Sequence, residues 1–264
     1  GGLGSRPEID FSQLSHYLWT GYFAPGTSIY KSVRVLRPGH ALEVSRDLEV
    51  VREWPHSEVR FSFDVGGSED YKAFLMNCEG LFGRAVCRRL QSDVPVGVLL
   101  SGGVDSSAVV AALDELGVDF ETWSLGFGPE HVSELHYAQM VAQHRGVPMN
   151  IVEVGPPEFV EHLEEVVWHL DDPLCDCITV PNFILAGKAG SAADVLFNGE
   201  GGDPLFGGPK NKFLILGEWY RFLGGYDRVK SYLGSYHKAY DHLDDLFTPA
   251  FLADLRRCSQ KPEP

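Results

Sequence analysis

The sequence lacks the features of a membrane, secreted or nucleic-acid-binding protein. No apolar run approaches the ~20 residues that a membrane-spanning helix needs. The first ten residues do not have the basic-then-apolar order of a secretory signal. Basic residues are few, because 22 Lys and Arg stand against 37 Asp and Glu and give a net charge of −15. Such a surface repels nucleic acid and anionic membranes. We therefore predict a soluble cytoplasmic protein with no nucleic-acid or membrane partner.

Cysteines are also too few and too irregular for a disulfide framework. Their number is odd, and they are Cys78, Cys87, Cys175, Cys177 and Cys258. Cys175 and Cys177 are closer in sequence than the usual pair of structural zinc ligands, and no second pair follows. Plain reduced thiols are the expectation.

The central part of the chain alternates between strand and helix patterns. Apolar spacing predicts helices at 71–90, 106–116, 133–145, 157–170 and 180–189. Short apolar runs predict strands at 94–100, 120–127, 150–154 and 194–198. This alternation predicts an α/β fold, in which a parallel twisted sheet carries helices on both faces.

The two ends of the chain have different patterns. Leu14, Tyr17 and Leu18 fall at helical spacing, and short extended runs follow at 28–30, 33–36 and 41–44. The stretch 65–68 has the composition of a linker, and only helical patterns occur from Lys212 onward. We expect three parts: an antiparallel N-terminal segment (1–64), an α/β domain (65–211) and an α-helical tail (212–264).

A glycine-rich turn follows the strand at 94–100. It has the sequence Ser101-Gly102-Gly103-Val104-Asp105-Ser106-Ser107 and leads into a helix predicted to begin at Ser106 or Ser107. Glycines let the backbone approach an anion closely, and the free N–H groups of a helix start favour a phosphate there. Asp105 would repel phosphate unless Mg²⁺, which binds carboxylate and phosphate oxygens together, lay between them. The loop lacks the lysine of a Walker P-loop.

This loop resembles the pyrophosphate-binding loop of the N-type ATP pyrophosphatases. A second run, Asn198 to Gly208, is similar to a pattern of the asparagine synthetase branch of that superfamily, as is Trp123-Ser124-Leu125-Gly126-Phe127. The N-terminal Ile29 to His40 resembles the end of that family's glutaminase domain. The resemblance covers about residues 10 to 210. It implies an adenine nucleotide alpha hydrolase-like sheet and an AMP-forming carbon–nitrogen ligase that uses ATP and Mg²⁺ in asparagine biosynthesis.

The resemblance also assigns roles to individual residues. It implies adenine contacts from Leu99 and Leu125, with Asn198 and Gly199 near the nucleoside. The pyrophosphate would lie against the first loop, at Ser101, Gly102, Gly103, Asp105, Ser106 and Ser107. Asp105 and Asp203 would share Mg²⁺, and Glu200 would be the catalytic residue that assists attack by ammonia on the acyl-adenylate.

Some features differ from the family pattern and keep alternatives open. Pro204 stands where an acidic residue is usual, and the sequence lacks the nucleophilic cysteine domain that liberates ammonia from glutamine. The family's C-terminal lysine is not identified; Lys210 and Lys212 are its nearest candidates.

The main hypothesis is a ligase that joins a carboxylate, most simply aspartate, to ammonia or an amine. A glutaminase domain or subunit would be its partner, in cis or in trans, and a homodimer is left open. The alternatives are a lasso-peptide-cyclase or β-lactam-synthetase-like amide former of secondary metabolism, and a nucleotide-binding homologue with incomplete catalysis.

Overall fold

The structure is a computed structural model, and it describes residues 7–57, 71–90, 94–131, 133–173, 176–206, 239 and 242–258. The described helices are α1 (Phe11–Thr20), α2 (Tyr71–Cys87), α3 (Val104–Glu115), α4 (Leu135–Arg145), α5 (Pro156–Leu170), α6 (Thr179–Ala189), α7 (Gly202–Phe206), α8 (Leu243–Leu246) and α9 (Pro249–Cys258). The strands are β1 (His40–Val44), β2 (Val50–Pro55), β3 (Val96–Leu99), β4 (Phe120–Gly126), β5 (Met149–Glu153) and β6 (Val195–Phe197). The chain divides into two compact units, one made of residues 1–64 and 210–264 and the other of residues 65–209.

The unit of residues 65–209 is built on a parallel sheet with the strand order β5-β4-β3-β6. β3 lies inside this sheet and pairs with β4 on one side and β6 on the other. Gly97 in β3 permits tight packing, because a Cβ there would lie 2.8 Å from Leu196 Cδ2 and 3.1 Å from Ala193 Cβ. The α/β class expected from the alternation of helices and strands is confirmed.

Helices cover both faces of this sheet. On one face, Val98, Leu100 and Phe120 belong to a buried cluster with Val110 and Leu113 of α3, and the same cluster includes residues of α2 and α4. On the other face, Leu125 and Val152 pack against a cluster formed by α5 and α6. The alternating direction of side chains along a strand explains this division, since successive residues face opposite sides.

Several local predictions are corrected. Residues 28–30 and 33–36 are not strands, and Tyr30 forms only an isolated bridge with Ile9. The antiparallel element is instead the β1–β2 hairpin, and its second strand was not predicted. Val167 and Leu170 belong to the apolar spacing that predicts the helix at 157–170, yet they are 38% and 43% exposed. The helical stripes predicted between 212 and 238 lie outside the described residues.

The start of α3 also differs from the prediction. α3 begins at Val104, and Gly103 takes the N-cap position with extended backbone angles. The hydroxyls of Ser106 and Ser107 donate to Gly103 O, at 3.2 and 2.7 Å, so neither serine acts as the N-cap. A serine before an apolar run is the usual sign of a helix start, but a glycine also serves as N-cap. Asp105 consequently lies within the first turn of the helix.

In the other unit, the described helices surround a small apolar cluster. Leu14 and Leu18 of α1 pack with Leu243, Leu252 and Leu255 of α8 and α9. The amphipathic spacing predicted around Leu14 is therefore confirmed, and its apolar face is buried. The N-terminal segment and the C-terminal helices, which were expected as separate parts, lie in this one unit.

Asp10 is the N-cap of α1, and its replacement by alanine should destabilise this unit. Asp10 Oδ1 accepts hydrogen bonds from Ser12 N at 2.9 Å and Gln13 N at 3.3 Å. The bond from the Ser12 hydroxyl is the main reason why the pKa of Asp10 is lowered. We expect Asp10→Ala to cost about 1 kcal/mol in urea unfolding at pH 7.

The pH dependence separates the cap from a general effect of charge. Because the folded-state pKa is depressed, the contribution is full above the unfolded pKa and is lost as the pH falls through the folded value. Asp10→Asn retains an acceptor oxygen and is the matched variant. Asp10→Asn should keep most of the wild-type free energy of unfolding at pH 7. It should lack the fall in that free energy that protonation of Asp10 causes in wild type at low pH. Equal stability of Asp10→Ala and wild type would contradict the capping role.

None of the helices in the described part of the chain combines the length and the apolar character of a membrane span. Cys78, Cys87 and Cys177 are free thiols. Cys175 and the side chain of Cys258 lie outside the described part of the chain.

Candidate functional site

The strand order brings two glycine-rich loops together. β3, β4 and β5 follow one another outward in the sheet, and the chain then returns to place β6 on the opposite side of β3. The segments after β3 and β6 therefore leave the sheet side by side at the carboxyl edge. In open α/β sheets this change of direction is the position where ligands bind. The Ser101 and Asn198 loops thus meet at this position, although they are distant in sequence.

The first loop is fixed by its own hydrogen bonds. Ser106 Oγ accepts from Ser101 N at 3.3 Å and lies 3.0 Å from Ser101 Oγ, while Gly103 N donates to Ser101 Oγ at 3.2 Å. Gly102 has a φ of +87°, and a Cβ there would overlap the backbone of Tyr137 and Ala138 at the start of α4. Only glycine fits this conformation and this contact without strain. The loop is therefore held against α4 in a compact turn.

The first N–H groups of α3 remain outside the helical ladder. The first bond of the ladder runs from Ser107 N to Gly103 O at 3.0 Å. In the described part of the chain, the N–H groups of Val104, Asp105 and Ser106 have no acceptor. Unpaired N–H groups and the positive end of the helix dipole together favour an anion. The geometry suits a phosphate group at this helix start.

The second loop packs directly on Asp105. A Cβ on Gly199 would lie 2.7 Å from Ser106 N and 3.1 Å from Asp105 Cβ, and a Cβ on Gly202 would overlap the Asp105 carboxyl group. Asn198 Oδ1 accepts from Glu200 N at 3.1 Å, which fixes the turn that presents Glu200. Gly201 has a φ of +95°. Small residues at 199 and 202 are thus what allows the two loops to touch.

The two loops form part of the wall of a cavity of about 920 Å³. Its lining residues come from the carboxyl ends of β3, β4 and β6, from the starts of α3, α4 and α7, and from one side of α6. They are Leu99, Leu100, Ser101, Gly103, Asp105, Ser106, Ser124, Leu125, Phe127, Ser133, Glu134, Leu135, Ile178, Asn182, Leu185, Ala186, Asn198, Gly199, Glu200, Gly201, Asp203 and Pro204. A volume of this size is typical of small-molecule sites.

Most of the predicted site residues meet in this cavity. The structure places in its wall Leu99, Ser101, Gly103, Asp105, Ser106, Leu125, Asn198, Gly199, Glu200 and Asp203. Gly102 and Ser107 are not among its lining residues. Gly102 packs closely against Tyr137 and Ala138 of α4, and the Ser107 hydroxyl donates a hydrogen bond to Gly103 O. Their contribution to a phosphate site would therefore be indirect.

The lining carries negative charge without a balancing basic group. The carboxylates of Asp105, Glu134, Glu200 and Asp203 line the cavity, and none of the described lining residues is Lys, Arg or His. A polyphosphate would be repelled from such a site unless cations accompanied it. Asp105 and Asp203 supply the oxygen ligands that Mg²⁺ prefers, beside a helix start that favours phosphate. No group of three or more possible metal ligands is found among the described residues, so these two carboxylates fit Mg²⁺ only together with the phosphate oxygens of a bound nucleotide.

Sequence reasoning did not identify the far wall of the cavity. Ile178, Asn182, Leu185 and Ala186 come from the start and one side of α6, and Phe127 comes from the loop after β4. The apolar spacing of α6 predicted a helix that packs on the core. Val180 and Ile184 do lie in the core cluster, while Asn182 belongs to the cavity wall. A polar residue between apolar positions was the only available signal for this second face.

The loop after β4 is anchored from the neighbouring strand. Glu153 Oε2 accepts a hydrogen bond from Gly128 N at 3.0 Å. A Cβ on Gly126 would overlap the Glu153 carboxylate, so a glycine at 126 is required for this contact. The same loop carries Phe127, Ser133 and Glu134 into the cavity wall. Glu153 therefore helps to shape the site without lining it.

A parallel sheet with this cavity at its reversal point defines an open α/β ligand-binding domain. A family model described as "Asparagine synthase" matches residues 77–256, which is more than half of the chain. The chain therefore belongs to the asparagine synthase family, whose members are ATP-dependent amide ligases, and the predicted resemblance is confirmed.

Curated relatives agree with this family. The chain is 30% identical over 201 residues to "Asparagine synthetase [glutamine-hydrolyzing] 1" of Bacillus subtilis, a match that covers 76% of this chain and 31% of that protein. It is 31% identical over 206 residues to a putative asparagine synthetase of Mycobacterium tuberculosis, with 78% and 32% covered. The chain thus spans about a third of the length of these relatives. Among solved structures, an NH3-dependent NAD synthetase of Campylobacter jejuni matches at 14% identity and a TM-score of 0.33, covering 74% of this chain and 95% of that chain.

Proposed function

We propose that this chain carries the ATP-binding site of an enzyme that adenylates a substrate carboxylate, most simply that of aspartate. The observation that carries the proposal is the contact of the second glycine-rich loop, through Gly199 and Gly202, with Asp105 of the first. This contact joins a helix start suited to phosphate to a second carboxylate, Asp203, in one cavity. The substrate carboxylate oxygen attacks the α-phosphorus of ATP. The bond between the α-phosphorus and the bridging oxygen breaks, and pyrophosphate leaves.

The first step depends mainly on positioning and charge. The N–H groups at the start of α3 and the Ser101 loop would hold the β- and γ-phosphates. Asp105 and Asp203 would hold Mg²⁺, which when bound neutralises charge on the phosphate oxygens. Because the described lining has no basic side chain, this neutralisation is essential for nucleotide binding. Such preorganised groups commonly supply most of the catalysis of phosphoryl chemistry.

The second step forms the amide. Ammonia or an amine attacks the acyl carbon of the mixed anhydride, the acyl–oxygen bond breaks, and AMP departs. The attacking nitrogen must lose a proton, and the exposed carboxylate of Glu200 in the cavity wall is the group we assign to accept it. The names of the relatives include glutamine hydrolysis. By analogy, we propose that a glutaminase domain or subunit supplies ammonia to this site.

An exchange assay tests the first step separately from the second. Purified protein with Mg²⁺ and ATP should incorporate labelled pyrophosphate into ATP when aspartate is added. A panel of other carboxylates tests the choice of acid. Exchange with another acid alone would favour a specialised amide former. ATP binding without any exchange would favour a homologue with incomplete catalysis. This outcome is the relevant alternative because Pro204 stands where the family usually has an acidic residue.

Glu200→Gln divides the two steps within the same assay. We expect pyrophosphate exchange to stay within a few-fold of wild type, while amide formation from ammonia falls by about 100-fold or more. Glu130→Gln is the matched control, because Glu130 is exposed in the loop after β4 and does not line the cavity. Equal loss of both steps in Glu200→Gln would contradict its assignment to the second step.

A further inference from the structure

The lining residues of the cavity are of two chemical kinds. The glycine-rich loops and the carboxylates are polar, whereas Leu99, Leu125, Phe127, Ile178, Leu185 and Ala186 are apolar. Asn182 shares one side of α6 with Ile178, Leu185 and Ala186, because these residues follow helical spacing. It is the one amide-bearing side chain that α6 contributes to the described lining. The position follows from α6, whose opposite face packs on the core through Val180 and Ile184.

The amide of Asn182 is available to a ligand. The Asn182 backbone N–H donates to Ile178 O at 3.0 Å, as expected within a helix. Its side chain has no hydrogen bond to any residue that the structure describes. It is half-buried and lines the cavity. A half-buried amide without a protein partner favours a ligand that offers both a donor and an acceptor.

The base of ATP fits the apolar lining residues around Asn182 better than the acyl substrate does. An amino acid such as aspartate carries charged groups on every side, and an apolar wall without basic residues would not compensate for their desolvation. Adenine is planar and uncharged, and it suits apolar walls with a small number of placed polar groups. Its N7 acceptor and 6-amino donor match the donor and acceptor of an asparagine amide, as they do in DNA recognition.

We propose that Asn182 determines the choice of base by pairing its amide with N7 and the 6-amino group of adenine. The inference rests on the proposed function, because it assumes that the phosphates lie at the Ser101 loop. Guanine presents two acceptors, N7 and O6, on the same edge, so the Asn182 carbonyl would face O6 and be repelled. Asn182 is therefore a specificity residue, and it takes no part in the bonds made and broken.

The test measures binding of ATP, GTP and 7-deaza-ATP by calorimetry in the presence of Mg²⁺. 7-deaza-ATP lacks the N7 acceptor and keeps the shape of the base. Wild type should bind it about tenfold more weakly than ATP and should prefer ATP over GTP by about tenfold or more. In Asn182→Leu, which keeps the size of the side chain, ATP and 7-deaza-ATP should bind equally and the preference over GTP should shrink by about tenfold. Lys188→Gln, an exposed change on the same helix, should behave as wild type.

The outcomes separate this inference from the proposed function. Equal binding of ATP and 7-deaza-ATP by wild type overturns the role of Asn182 and leaves the ATP site intact, and this measurement needs no variant. An unchanged preference for ATP over GTP in Asn182→Leu also overturns it. Failure of wild type to bind ATP with Mg²⁺ overturns the proposed function and the inference together.

Discussion

Asparagine in place of Asp105 is expected to reduce ATP–pyrophosphate exchange by about 100-fold or more, without a comparable loss of stability. The substitution keeps the size of the side chain and removes its negative charge. Gly199 and Gly202 pack against Asp105, so a side chain of the same shape preserves the contact between the loops. What is lost is the carboxylate that would hold Mg²⁺ beside the phosphates.

The magnesium dependence gives the sharper measurement. Exchange is recorded over a range of Mg²⁺ concentrations for wild type and Asp105→Asn, and the variant should need a much higher concentration to reach half of its own maximum. Removal of Mg²⁺ with a chelator should abolish ATP binding to wild type, because the described cavity wall offers four carboxylates and no basic side chain.

Asp119→Asn is the matched control for this experiment. Asp119 is exposed just before β4, at the edge of the sheet opposite the cavity. The control should retain wild-type exchange and wild-type magnesium dependence. Normal exchange at low Mg²⁺ in Asp105→Asn would show that the metal is held elsewhere.

Gly199→Ala is expected to separate the two loops and reduce exchange by about tenfold or more, with a loss of stability of about 1–3 kcal/mol. The added methyl group would lie 2.7 Å from Ser106 N and 3.1 Å from the backbone carbonyl carbon of Asp105. These are backbone atoms in the first turn of α3, which cannot yield as a flexible side chain would. Relief of the overlap must therefore move β6, its loop or α3.

Gly187→Ala is the matched glycine change, because a Cβ at Gly187 meets nothing within 4 Å in α6. It should leave exchange unchanged and stabilise the helix by up to about 1 kcal/mol. Urea unfolding and exchange are measured on both variants. Wild-type stability together with wild-type exchange in Gly199→Ala would mean that the loops do not need this close contact.

The sequence predicted the sheet and the two loops well, for a physical reason. Short apolar runs alternate with stretches of helical apolar spacing, and this alternation can be seen in the sequence without knowledge of the fold. The loop motifs at Ser101 and Asn198 could be placed at strand ends, and parallel strands bring such ends to one edge. Their convergence in one cavity agrees with the roles predicted for these residues, which stay predictions until variants are measured.

Two features could not be predicted from local patterns. The start of α3 was placed two residues late, because serine is a common N-cap and Gly103 gives no side-chain signal. The far wall of the cavity depends on which side of α6 faces the sheet, and apolar spacing alone does not determine this. Asn182 and Leu185 are neighbours of core residues in sequence, yet they line the cavity.

The pairing of β6 with β3 has a consequence for the order of folding. Val96 pairs with Val195, and β4, β5 and the helices beside them all lie in the stretch of chain that this contact closes. Closing a long connection carries an entropic cost that local contacts do not, and it makes such parallel pairings slow. β6 spans only Val195–Phe197, so its pairing with β3 forms few hydrogen bonds to offset the entropic cost of closing the connection. The nucleotide site should therefore be among the last parts of this domain to form and among the first to open.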